Sequence, residues 1–310
     1  MSAIRLAATL LAVLIGQVPT GAAAQGAQPR TDQTIITSLS LDGLPMGRLM
    51  DSRQTQTAAG LEELLVISPQ GMNPAFFSAW IIPTLQGQRP MKTVRLTGIN
   101  RDGRAVSATD LLGIVPQKIE FPALDAGGDD LLQIKVTLFA PKVTQVQGPL
   151  VASGSAGTSQ TLRTSAFKLQ IAGLDTSRVS KIEAISFLPR SVNPGASLSR
   201  QPASSLSSGK DPLPGKGLQP TGAATISNLI IVIPQALVQP FQQWLTTAPS
   251  QTKSGSIEYL GPDLRPTWAA LSLQGLGITK ISTEPGPGPN GMVRSRVEMT
   301  IGGLQLVSRP

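Results

Sequence analysis

Two hydrophobic patterns recur along this chain of 310 residues. LSLDGL (39–44) and LQIAGL (169–174) alternate apolar and polar positions with period two, which predicts strands with one buried face. ELLVI (63–67) and LIIVI (229–233) are unbroken apolar runs that stop at or just before proline, as central strands covered on both faces do. NPAFFSAW (73–80) has Asn73 at a helix cap and Pro74 at the first helical position, where a missing N–H costs nothing. QPFQQW (239–244) places Pro240 in the same way. In both segments Phe and Trp stand three apart, Phe77 with Trp80 and Phe241 with Trp244, and share one face of a short helix. VRLTGINRDGRAVS (94–107) and GSIEYLGPDLRPTWAALSL (255–273) each read as strand, turn and strand. IKVTLFA (134–140) and VEMTIGGLQLV (297–307) close the two series with a further alternating strand.

The two series run in the same order. LLGIVPQKI (111–119) and LQGLGITKI (273–281) share leucine, glycine, lysine and isoleucine at matching places, at an offset of 162. Leu39 matches Leu169 at an offset of 130, Val66 matches Val232 at 166, Phe77 matches Phe241 at 164, Leu96 matches Ile257 at 161, and QIKVTL (133–138) matches RVEMTI (296–301) at 163. The single jump in offset falls around a Ser/Pro/Gly-rich tract at 191–222 of about the missing length. The expectation is a chain that says the same thing twice: a β unit at 31–143, a Gly/Ser linker at 144–164, and a second β unit at 165–308 carrying a disordered insert at 191–222. Its fold class is mainly β, two tandem β-sandwich or barrel domains with one short helix each.

FKLQIAGLDTSRVSKIEAISFLPR, the F-x-x-W helix, SIEYLGPDLRPTWAALSLQGLGITKI and VEMTIGGLQL follow one another in an order that resembles the contractile-phage tail tube family. RDGRAV (101–106) and IVPQKI (114–119) in the first series resemble that family's turn and its proline-containing strand. The resemblance covers nearly all of 165–308 and, more weakly, 35–140. It implies tail-tube topology and ring assembly. The chain departs from the family in having a leader and two units where tube subunits are cytoplasmic and single-domain. Baseplate hub proteins also carry two units, and three such chains give a ring of six similar barrels.

Composition narrows the chemistry. LAATLLAVLIGQV is an apolar run of 13 behind a single arginine, followed by Pro19 and by Ala22 and Ala24 at the small-residue positions a signal peptidase requires. Thirteen residues of helix span about 20 Å, too short for a bilayer. Residues 1–24 therefore read as a signal peptide, and the mature chain as 25–310, exported to the periplasm or the extracellular space, with no membrane span after cleavage. The absence of cysteine rules out disulfides, so stability must come from buried cores. The absence of histidine as well rules out Ser-His-Asp and Cys-His sites and the usual zinc and copper sites. Net charge is +8, yet charged residues are only 14% of the chain; the basic ones form no stripe, and Arg190, Arg200, Lys210 and Lys216 sit in or beside the low-complexity tract, so no nucleic-acid partner is expected.

Each remaining chemical candidate has a plainer explanation. DAGGDD (125–130) could hold calcium, but it fits no EF-hand frame and reads as a hairpin loop before a strand over 131–139. Adjacent Glu62 and Glu63 point to opposite faces of a strand. Glu258 and Asp263 could approach one another, but turn chemistry accounts for the aspartate. Gly275–Gly277 lies in a strand pattern, and the two Phe/Trp pairs read as core anchors. No catalytic, cofactor-binding or metal-ligating residue is nominated. The expected function is an exported, non-enzymatic structural protein that self-associates, three chains giving a ring with pseudo-six-fold symmetry. The alternative is a monomeric secreted or periplasmic binding module using its loops or the 191–222 insert, and a carboxylate hydrolase ranks behind both for want of a pair of acids that could flank one bond.

Overall fold

The computed structural model describes residues 36–58, 60–146, 162–189, 224–285 and 293–308, with the side chains of 266–268 and 308 excepted. The proposed signal peptide, the 191–222 insert and most of the 144–164 linker lie outside the described residues. The strands all belong to one compact unit, Asp32–Pro310.

The first half of that unit contributes β1 (Ile36–Leu41), β2 (Leu44–Arg48), β3 (Asp51–Thr57), β4 (Gly60–Ile67), β5 (Lys92–Ile99), β6 (Ala105–Ile114), β7 (Pro116–Phe121), β8 (Leu124–Asp125), β9 (Ile134–Ala140) and β10 (Lys142–Gln145). The second contributes β11 (Phe167–Ile171), β12 (Lys181–Ile182), β13 (Ile185–Leu188), β14 (Thr225–Ile226), β15 (Leu229–Pro234), β16 (Lys253–Leu260), β17 (Pro266–Glu284), β18 (Arg294–Thr300) and β19 (Gly303–Ser308). The chain is mainly β, its sheets curled into a barrel-like form, with one short helix in each half. The first helix runs over 74–85, with a π turn at Phe77–Ile81, and the second is Gln239–Thr247. Asn73 caps the first as its pattern predicts, its side chain accepting from the Ala75 N–H at 2.9 Å.

Apart from the β1–β2 hairpin, of which the second half keeps only the Ile171–Leu174 bridge, the two halves carry matching pairings. Leu39 stands opposite Leu96, and Leu169 opposite Ile257. Leu96 faces Thr109, and Ile257 faces Leu271. Ile119 faces Val136, and Ile281 faces Val297. Val66 faces Lys135, and Val232 faces Arg296. Asp51 faces Val66, and Lys181 faces Val232. All the ladders agree on which residue of one half occupies the place of which residue of the other. They correct one sequence match: Val136, not Ile134, occupies the place of Val297. A slip of two residues preserves in/out alternation, so the hydrophobic pattern alone cannot detect it.

Gly113 and Gly275 match in backbone as well as in place, with φ of +68° and +63°. Close to each, the strand leaves its ladder with β5 or β16 and enters the ladder with β9 or β18, and the left-handed backbone there costs a side-chain-bearing residue energy. Just beyond, both ladders carry a register shift, between Pro116 and Lys118 in one half and between Ile278 and Lys280 in the other. Pro116 supplies no N–H, and the strand there is broken into β6 and β7, whereas the second half runs through unbroken as β17. The closing segment IKVTLFA is the single strand β9, with a further strand, β10, following past Pro141, whereas VEMTIGGLQLV, expected as one strand, is two, β18 and β19, broken at Ile301–Gly302.

Candidate functional site

The residues singled out for chemistry do not converge. Asp125 Oδ1 accepts from the Gly127 N–H at 2.9 Å, and Asp129 is ion-paired with Arg163, so DAGGDD is a turn between β8 and β9. Glu62 is exposed and Glu63 buried, on opposite faces of β4 as the strand period requires. Glu258 stands in β16 opposite Lys168, while Asp263 lies in the turn beyond, its Oδ1 accepting from the Arg265 N–H. Gly275 and Gly277 lie inside β17. Phe77, Trp80, Phe241 and Trp244 are all buried. Both indole N–H groups are satisfied by a carbonyl just past the helix, Trp80 by Pro90 at 3.2 Å and Trp244 by Gln251 at 2.8 Å.

Most of the perturbed titrations belong to ion pairs. The Asp42 carboxylate accepts from Lys92 Nζ and from the Thr93 N–H, both at 2.9 Å, which holds its pKa below the ordinary value. Burial pushes Glu120 up, but hydrogen bonds from Lys118 and Lys135 outweigh it and leave the pKa lowered. Hydrogen bonding to Glu183 raises the Arg296 guanidinium. Burial pushes the Tyr259 phenol up, which suits a core residue and not a proton donor near neutrality.

What the fold does build is a joint between its halves. Ile119, Glu120 and Phe121 pair with Phe187, Ser186 and Ile185, and the same antiparallel register continues with Leu124 opposite Ile182 and Asp125 opposite Lys181. The Ala126 N–H then donates to the Ser180 carbonyl at 2.8 Å. Apolar side chains from both strands close the joint: Ile119, Phe121, Leu124, Ile182, Ile185 and Phe187 are each at most 2% exposed. A second contact sets the end of the first helix (Ile82–Leu85) against β19, where Leu304 and Leu306 are buried.

The strand edges occupying the same places elsewhere carry no such pairing. In the second half, the place of β7 is taken by Gly277–Glu284 of β17, which is bonded to β18 on one side and to no described strand on the other. In the first half, the place of β12 and β13 is taken by β3, an edge strand bonded only to β4 among the described strands. The joint was not legible as a pairing in the sequence. Its two strands do carry a period-two signal, with Ile119 and Phe121 in QKIEF and Ile185 and Phe187 in AISFL alternating with polar or small residues.

Neither a family model nor a curated protein matches this chain. Among solved structures it is similar to Hcp1 from Flavobacterium johnsoniae, at 13% identity and a TM-score of 0.27, over 46% of this chain and 99% of that one.

Proposed function

We propose that this chain is an exported, non-enzymatic structural protein whose copies join edge to edge into closed rings or stacked tubes. The observation that supports it is the pair of open edges. The fold joins its halves through two strand ladders in one register, β7 with β13 and β8 with β12, and it presents the two edges that hold the same places, β3 and the end of β17, without partners among the described strands. Unpaired strand edges are templates for association, and ring closure removes them. Two units in one chain, as in baseplate hub proteins, support a ring of three chains with six similar barrels. Export rests on the apolar leader at 1–24.

Light scattering across a concentration series tests the reading. The full chain is expected to gain mass with concentration and to stop at a multiple of its own 32.3 kDa, less the leader where that has been cleaved. A constant monomer mass at the highest concentration contradicts assembly and leaves the binding-module reading.

A further inference from the structure

We propose that the joint between copies reproduces the joint inside each copy, in the same register: Ile281–Glu284 of one chain pairs antiparallel with Gln54–Thr57 of the next. The inference rests on the self-association proposed above and names the surfaces that carry it.

The register follows from the ladders. Asp51 and Lys181 hold one place, because each faces the matched valine, Val66 or Val232. Ile119 and Ile281 hold another, because each faces the matched valine Val136 or Val297. Inside the chain Ile119 pairs with Phe187, Glu120 with Ser186 and Phe121 with Ile185. Carried across to the open edges, Ile281 stands opposite Thr57, Ser282 opposite Gln56, and Thr283 opposite Thr55. The surfaces differ and each chain offers both, so the contact is head to tail: it closes into a ring where the rotation allows and otherwise extends as a filament.

A second contact, independent of these strands, points the same way. In the chain the first helix covers β19. The β17 ladder with β19 and the β6 ladder with β10 set Leu304 and Val143 in the same place, Leu304 opposite Leu273 and Val143 opposite Leu111. Leu304 is 3% exposed, whereas Val143 is 38% exposed and all of β10 is open to solvent. The helix that occupies the first helix's place is Gln239–Thr247, beside the open end of β17. One head-to-tail step therefore sets β17 on β3 and brings the second helix toward β10, covering both exposed surfaces together.

The chemistry of the two joints differs. The inner one pairs Ile with Phe and Phe with Ile; the outer one pairs Thr with Ile, Gln with Ser, and Thr with Thr. Backbone hydrogen bonds hold the outer joint with little apolar burial beneath them, so copies associate reversibly while each chain stays whole.

A chain without cysteine gives a clean background for the test. Directly opposed residues of an antiparallel pair hold their Cβ atoms about 4.5–5.5 Å apart, close to the span of a disulfide. The full chain carrying both Thr55→Cys and Thr283→Cys is expected to form, on mild oxidation, a reducible ladder of covalent oligomers ending at the closed assembly. Each single variant is expected to remain monomeric on a denaturing gel, since neither position meets itself. Oligomers in light scattering without cross-linking of the double variant overturn these surfaces and leave self-association standing. A monomer in light scattering overturns both. Cross-linking by either single variant as efficient as by the pair overturns the head-to-tail geometry.

Discussion

Asp42 does two jobs at a single turn. It takes the left-handed backbone (φ +48°) that closes the β1–β2 hairpin, and its carboxylate ties that turn to Lys92 and Thr93 of β5. Its folded pKa lies below the ordinary carboxylate value near 4, and so does that of Glu120. A group whose folded pKa is depressed stabilises fully above its unfolded pKa and loses that contribution as pH falls through the folded value. The thermal midpoint is therefore expected to be level from about pH 7 to 5 and to fall below about pH 4. Asp42→Asn keeps a residue that tolerates the left-handed turn, so it is expected to lower the midpoint near neutrality and flatten the acid limb. Equal acid loss in the variant and the parent would remove Asp42 from this account. The Asp42–Gly43 dipeptide was visible in the sequence, but its partner Lys92 lies 50 residues away and no local pattern announces it.

At the scale of elements, the hydrophobic period located most of what a buried face or a turn marks. β4 and β15, the two Phe/Trp helices, and the hairpins β5–β6 and β16–β17 all lie where the apolar pattern puts them. What it did not reveal are strands without a buried face: β3 reads DSRQTQT and its side chains are exposed or half-buried, so no alternation marks it. The matched glycines at 113 and 275 were visible as identities, while their shared left-handed backbone was not. A Cβ at Gly275 would meet the Gly302 Cα at 3.2 Å, in addition to the cost of a positive φ. Gly275→Ala is expected to destabilise by about 1–2 kcal/mol or more by chemical denaturation. An unchanged midpoint would mean the position tolerates a side chain and does not fix the passage from one ladder to the next.

For the whole molecule, the repeated ladders leave a chain whose outer edges are asymmetric and matched to each other. The inner joint is apolar and buried, so it is a permanent part of the fold; the β3 edge is polar, which limits indiscriminate pairing of an unpartnered edge. The sequence carried the repeat in its residues, but which edge meets which is a property of the ladders and needs three-dimensional register. The most direct measurement is imaging of the full chain by negative-stain electron microscopy at a concentration where light scattering shows its largest mass. Closed rings of three chains, their averages showing six similar lobes around an axis, are the predicted result. Uniform single particles of monomer size, or symmetric dimers, would contradict head-to-tail assembly.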